Sequence, residues 1–343
     1  MKKLVLLATA LAIVSGPALA ADLRVKAVKA PPPVAFDPWD IAFGSSLTND
    51  YIFRGITQSN HKPSVSAYFE PRYNVTKDLQ LYVGAAGASI SFPNRAAAEI
   101  DIYGGIRPTI GAFAFDFGVW GYLYPGGTCH NGGLVDAAGV PLSAECQNNF
   151  LVNGNVIKKN LSFFEGYAKV NYTVNDMFQF GLNEYYTPSF LNSGAWGNYA
   201  SITGKFTAPS TTFGTSGVGM YISGEFGRQW LGTSDSFYGT TFTNAGFAGP
   251  FPNGINYADY NTWNIGIGFT YKVFTLDLRY SDTNLSKGDC NAFTSDFAAR
   301  GNINAFTGTS VTSINPTGVG SNWCGAAGIV KLSADLTAMT NLK

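Results

Sequence analysis

The chain has 343 residues, and its 22 basic and 22 acidic side chains cancel to zero formal charge, which gives no electrostatic ground for binding nucleic acid or an acidic polymer. Only 13% of residues are charged, against 15% aromatic and 40 glycines, a balance unusual for a soluble protein of this size. It suits a barrel that turns apolar surface outward and small or aromatic side chains inward.

The N-terminus reads as a secretory signal over residues 1–20. Lys2-Lys3 form its positive region, Leu4–Val14 its apolar region, and Ala18-Leu19-Ala20 its cleavage site. No later stretch approaches the ~18–20 continuous apolar residues of a membrane helix. An exported chain of this kind is either soluble or a β-barrel. Residues 21–39 follow as a basic lead with three consecutive prolines, Pro31–Pro33, which favour extended polyproline II; they read as a periplasmic linker. The domain proper spans 40–343.

From Asp40 onward the chain alternates apolar and polar residues with period two. A first strand runs from Ile41 to about Phe53. Ser64–Val75 and Leu79–Ile90 flank the turn Thr76-Lys77-Asp78. The stretch Ala98–Tyr124 is the clearest hairpin. Ile100, Ile102, Ile106 and Ile110 oppose Glu99, Asp101, Tyr103 and Arg107; then, across a tight Gly111-Ala112 step, Phe113, Phe115, Phe117 and Val119 oppose Asp116, Trp120 and Tyr122. Phe163–Val174, Met177–Thr187, Trp196–Phe206 and Val218–Trp230 repeat the pattern. A hairpin about Val273 and a closing strand Ala327–Ala338 complete it.

That makes about twelve strands. Connections after strands 2, 4, 6, 8 and 10 are short or moderate, while those after 1, 3, 5, 7, 9 and 11 are generally longer and carry the cysteines. This sorting is the signature of an all-β, transmembrane, antiparallel up-and-down β-barrel in the outer membrane of a Gram-negative bacterium, with both termini in the periplasm. Such a barrel meets outer-membrane lipids and lipopolysaccharide outside and small polar solutes within. Trp39, Tyr51, Phe53, Trp196, Trp230 and Trp263 near strand ends suit interface girdles. Cys129, Cys146, Cys290 and Cys324 are expected as disulfides in an oxidising compartment. Three connectivities are open; the local pairs are the simplest, and a Cys129–Cys146 loop of roughly seventeen residues would be worth about 3 kcal/mol.

The inward face carries the candidate site residues. The acids are Glu70, Glu99, Asp101, Asp116, Glu165, Glu225, Asp277 and Asp335. The bases are Arg72, Arg107, Lys169, Lys205, Lys272, Arg279 and Lys331, and Tyr103, Trp120 and Tyr122 stand among them. Interleaved signs suggest paired networks and weak ion selectivity. Strands ~4.8 Å apart tilted ~40° give a backbone diameter of about 24 Å, which large inward tyrosines narrow. The only histidines, His61 and His130, fall in expected outside loops, so no enzyme, cofactor or metal site is expected. The remaining alternative is a non-conducting surface-interaction barrel with disulfide-stapled extracellular loops.

The stretch Leu47–Glu70, LTNDYIFRGITQSNHKPSVSAYFE, resembles the opening of the TorF-type porins of proteobacteria, whose distinctive run is NDY-x-F-RG-x-[ST]-Q. Tyr260–Ser286 with Cys290 after it resembles that family's penultimate hairpin. The resemblance implies an outer-membrane porin and carries over no substrate and no catalytic residue.

Overall fold

The period-two alternation closes into a single ring of twelve antiparallel strands. The computed structural model describes residues 38–131, 146, 156–235, 237–238, 256–299 and 320–342. The expected signal peptide, residues 21–37 of the expected linker, and much of the Cys129–Cys146 loop lie outside these. The barrel strands, in chain order, are β1 Trp39–Thr48, β2 Ser64–Thr76, β3 Leu79–Ala88, β4 Glu99–Ile110, β5 Phe113–Leu123, β6 Phe163–Thr173, β7 Phe178–Thr187, β8 Gly197–Thr207, β9 Val218–Leu231, β10 Tyr260–Tyr271, β11 Phe274–Thr283 and β12 Ala327–Thr337. Each pairs with its chain neighbours, and β1 pairs with β12 from Ala42↔Thr337 to Thr48↔Lys331, so no edge remains.

Connections sort by length broadly as the sequence suggests. Lys77–Asp78, Gly111–Ala112, 174–177, 208–217 and Lys272–Val273 join strands at one end of the barrel, which is also the end where β1 begins and β12 stops. The tightest step, between Ile110↔Phe113, needs a left-handed residue, and Gly111 supplies it at φ +60°. The other six connections share the opposite end; 208–217 is the one that breaks the sorting, being longer than 188–196. An eight-residue helix in the last of them, α1 (Lys287–Thr294), is capped by Ser286, whose hydroxyl accepts from Asp289 N. A single turn, α2 (Ala338–Asn341), follows β12 and donates Met339 N to Asp40 Oδ1 at 3.0 Å.

The polarity of the barrel is inverted relative to a soluble sandwich. Val83, Ile102, Ile202 and Ile265 point outward and are 57–62% exposed, whereas Glu99 and Glu165, pointing inward, are 2% and 1% exposed. A continuous outward belt of this kind is stable in hydrocarbon and would aggregate in water. Inside, tyrosines lie flat over glycines of neighbouring strands: Tyr68 over Gly44, Tyr82 over Gly105, Tyr103 over Gly84, Tyr167 over Gly118, and Tyr221 over Gly268. A Cβ at Gly84 would sit 2.3 Å from Tyr103 Cζ, and one at Gly268 2.1 Å from Tyr221 Cζ. This is where much of the glycine in the composition goes: it lets rings line the wall without crossing the lumen.

Three expectations shift. β1 ends at Thr48 rather than near Phe53, because the Asn49 side chain caps it, donating to Gly328 O at 2.9 Å and accepting from Val330 N at 2.7 Å. Residues beyond then turn into the barrel, so Tyr51 and Phe53 stand in the interior and not in an interface girdle. Lys272 leaves the lumen-facing set: it sits in the β10–β11 turn at φ 55°, exposed, with its ammonium 5.4 Å from the Tyr271 ring. The alternation that placed it inward does not continue through a two-residue turn.

Placing a charge in the belt tests this topology. Val83→Arg, near the middle of β3, is expected to destabilise the barrel by about 2–4 kcal/mol. Ser66→Arg, on the lumen face of β2, is expected to cost under about 1 kcal/mol. Urea titrations of barrels folded into phosphatidylcholine vesicles measure both; equal costs would contradict the assigned faces.

Candidate functional site

Between β1 and β2 the chain does not arch away from the barrel but folds into it. Ile52–Phe53 pairs with Ile56–Thr57 across Arg54-Gly55, at φ +48° and +78°. Two consecutive positive φ values are the geometry of a type I′ hairpin turn, which glycine tolerates and which an arginine adopts only when held there. Arg54 is held. Its guanidinium donates Nη1 to Glu165 Oε1 and Nη2 to Glu165 Oε2, both at 2.8 Å, and Nη1 to Gln229 Oε1 at 3.1 Å. Its Cζ lies 4.6, 4.9 and 4.3 Å from the ring centroids of Phe53, Tyr185 and Tyr199. Burial works against its charge, but the Glu165 carboxylate outweighs burial and raises its pKa.

The rest of the hairpin is fixed by the residues around this tip. Asp50 accepts from Thr57 Oγ1 at 2.5 Å and Ser59 Oγ at 3.0 Å and stands 2.7 Å from His61 Nδ1, so the start of the excursion is tied to its end. Tyr51 donates its hydroxyl to Glu99 at 2.6 Å, and burial followed by that carboxylate's charge pushes the Tyr51 hydroxyl well above its ordinary value. Phe53 meets Tyr122 edge-on, with centroids 5.8 Å apart.

Above the hairpin, all six long connections contribute to one apolar core. Ile56, Phe92, Leu161, Phe190, Tyr257 and Trp323 come one from each, and all are under 7% exposed. Two disulfides, Cys129–Cys146 and Cys290–Cys324, pin the third and sixth connections, as the simplest pairing suggests. Cys324 also bridges to Ile56, which joins the sixth connection to the hairpin. The loop end is therefore a packed lid.

Below it, the expected inward charges stand in three clusters. In the first, Glu70 accepts from Arg72 Nε at 2.6 Å and from Arg107 at 2.7 and 3.2 Å; Arg107 also donates to Asp116 at 3.2 Å and lies 3.6 Å from the Tyr82 ring centroid. Tyr82 bonds Asp116 and Tyr167, and Lys169 lies over Tyr167 at 4.4 Å. In the second, Arg279 donates twice to Asp277 at 3.0 Å, and to Ser223 at 2.8 Å and Asn264 at 2.5 Å. Tyr221 donates to Asp277, Lys205 covers Tyr221, and Glu225 accepts from Tyr199 at 3.0 Å. In the third, Asp335 accepts from Tyr68 at 3.0 Å and Ser333 at 3.1 Å. Glu99, Asp101, Tyr103, Trp120 and Lys331 line a cavity of about 680 Å³ between these clusters and the hairpin; Tyr122 borders a smaller one of about 260 Å³.

Sequence reading missed Asp50, Tyr51 and Arg54. The signal was present, since Arg54-Gly55 sits between the β-prone pairs Ile52-Phe53 and Ile56-Thr57 as in a two-residue hairpin, but a strand continuing from β1 absorbed the same residues.

A family model described as a bacterial protein of unknown function (Gcw_chp) matches residues 34–140, a span that includes the whole inward hairpin. The TorF-type likeness is not confirmed by this match. No curated protein sequence matches the chain. Among solved structures the chain is similar to the COG4313 outer membrane channel from Pseudomonas putida F1, at 9% identity and TM-score 0.42, over 89% of this chain and 97% of that one. It is also similar to LpxR from Salmonella typhimurium, at 9% identity and TM-score 0.38, over 86% and 99% of the two chains. The NanC porin gives 6% identity and TM-score 0.36, over 87% and 98%. At these identities the likeness concerns the fold alone.

The Arg54–Glu165 pair should govern the lid. Arg54→Met or Glu165→Gln leaves a buried charge alone, which costs about 3–5 kcal/mol locally. Amides 50–58 should then exchange with deuterium two to three orders of magnitude faster while the barrel strands stay protected. The double variant R54M/E165L should recover most of the protection. Unchanged exchange in the single variants would show that the apolar core holds the hairpin by itself.

Proposed function

We propose that the protein is an outer-membrane channel for small polar solutes, closed at its loop end by the inward hairpin and the core above it. The observation that carries this reading is the cavity of about 680 Å³ inside the wall, bounded by Asp50, Glu70, Arg72, Arg279 and Lys331. A barrel serving only as a loop scaffold has no use for an internal space bordered by these charged side chains. The paired signs around it favour small polar solutes over one class of ion, consistent with the expectation of weak selectivity. The resemblance of Leu47–Glu70 to the TorF-type porins points the same way. With the short turns, the start of β1 and the end of β12 on one side, the periplasm is the natural compartment for that side and the cell exterior for the lid.

No enzyme chemistry enters this reading. His61 is engaged by Asp50 and by Asn322 O at 2.9 Å, and neither ring nitrogen of His130 has a hydrogen-bond partner among the described residues. One observation favours the alternative of a surface-interaction barrel: described residues from all six connections share one apolar core, and two disulfides tie the third and sixth of them. Conductance separates the two. Purified protein in planar bilayers is expected to show small, stepwise conductance with a cation/anion ratio near one. Replacing residues 50–58 by a Gly/Ser linker is expected to raise it several-fold. Silent bilayers and no liposome swelling from either form would exclude a channel and leave the surface role.

A further inference from the structure

Four barrel strands build the seat in which the Arg54 guanidinium rests. Glu165 comes from β6, Tyr185 from β7, Tyr199 from β8 and Gln229 from β9. The wall itself orients them. Gln229 donates its amide to Asn198 O and Trp230 O, each at 3.2 Å, which turns its Oε1 toward the seat. Tyr199 donates its hydroxyl to Glu225 at 3.0 Å, and Tyr122 donates to Glu165 Oε2 at 3.3 Å. None of these bonds involves the hairpin. The hairpin, in contrast, is bent to reach the seat: Arg54 holds φ +48°, a region that a residue other than glycine adopts at a cost. The wall fits a guanidinium, and the chain is strained to supply one.

The chemistry of the seat is selective. The two Glu165 oxygens meet two guanidinium nitrogens at 2.8 Å each, a planar fork that a point-charge ammonium cannot match. Gln229 accepts a third N–H, and the Tyr185 and Tyr199 rings add cation–π attraction. Such a set recognises a guanidinium group whatever molecule carries it. In the closed protein the seat is full, with the Arg54 and Glu165 side chains 5% and 1% exposed. It adjoins lumen space, however: the cavity of about 260 Å³ is lined by Arg54, Tyr185 and Tyr199 as well as Tyr122. A solute there stands beside the tip, and it enters the seat by displacing the Arg54 side chain.

We propose that this seat is a binding site for small solutes bearing a guanidinium group, with Arg54 as its tethered occupant. A solute of that class takes the place of Arg54 and holds the hairpin away from the wall. The inference rests on reading the lumen as a solute path and names a class of solute that the path recognises.

Two measurements on the full-length, detergent-folded protein test it, with ethylguanidinium and ethylammonium as probes at equal ionic strength. The first is calorimetric titration of Arg54→Ala, which empties the seat toward the smaller cavity. Ethylguanidinium is expected to bind with a dissociation constant in the millimolar range, and ethylammonium about tenfold or more weakly. Adding Glu165→Gln is expected to weaken ethylguanidinium by about tenfold or more. Resistance to unfolding by sodium dodecyl sulfate before heating checks that each variant barrel has folded. The second is deuterium exchange of amides 50–58 in the wild type, which needs no variant to fold. A ligand that binds only the displaced form multiplies its population by 1 + [L]/Kd, so at about ten times the Kd found for Arg54→Ala, or at 10 mM where that variant does not fold, ethylguanidinium should speed exchange roughly tenfold or at least several-fold. Ethylammonium should leave it unchanged. The proposal is overturned by ethylammonium binding Arg54→Ala as tightly, by affinity that Glu165→Gln leaves unchanged, by no heat from folded Arg54→Ala, or by wild-type exchange that ethylguanidinium does not speed. A protein that passes both tests yet is silent in bilayers keeps the site and loses the channel reading; one that conducts but fails them loses only the site.

Discussion

Everything in this molecule follows from the requirement that no backbone N–H or C=O face hydrocarbon unpaired. A strand edge in lipid costs several kcal/mol for each unsatisfied group, so a sheet with an apolar outer face must close on itself. Closure is made by β1 against β12, the two ends of the barrel sequence, along the register Ala42↔Thr337 to Thr48↔Lys331. Once the ring is closed, the only place for polar side chains within the membrane is the inside. The charges that look scattered along the sequence therefore meet one another along the inner wall. Glu70 lies on β2, Arg107 on β4 and Asp116 on β5, yet they form one network because successive strands are neighbours in the ring.

Inside such a wall, glycine and tyrosine divide the labour. A tyrosine needs an adjacent surface on which to lie, and a glycine on the next strand provides one. Its hydroxyl then reaches a carboxylate: Tyr68 to Asp335, Tyr82 to Asp116, Tyr221 to Asp277. The carboxylates thereby gain donors besides arginine and lysine. The wall is braced by charge-assisted tyrosine–carboxylate hydrogen bonds as well as by ion pairs.

Much of this was legible from period-two alternation, because a strand's two faces must differ and a one-residue slip would reverse them all. The turn at Gly111-Ala112, most strand ends to within a residue or two, and the inward set from Glu70 to Asp335 without Lys272 can be read that way. Alternation fails where the backbone stops being extended. Lys272 continued the pattern on paper but sits in a turn. Tyr51 and Phe53 fitted a longer first strand, but Asn49 ends that strand through side-chain bonds to the backbone of β12, far away in sequence. The lid was not legible for a related reason. Phe92, Phe190 and Trp323 are isolated aromatics in polar loops, and only the ring closure shows that they converge.

The hairpin joins the lid to the wall at opposite sides. Tyr51 bonds Glu99 on β4, while Arg54 bonds Glu165 on β6 and Gln229 on β9. Its base is drawn together by Asp50, and Ile56 bridges to Cys324 in the lid. The hairpin therefore cannot leave the lumen without stripping donors from Glu99 and Glu165 and exposing part of the lid core. Each of those losses penalises an open state, and because they occur together they favour two discrete positions over a continuous drift. Glu99 is also two residues from Asp101 on the same face of β4. Withdrawal of Tyr51 would free a carboxylate oxygen at the edge of the cavity, so the position of the hairpin and the hydrogen-bonding capacity of the lumen are linked through a single phenol.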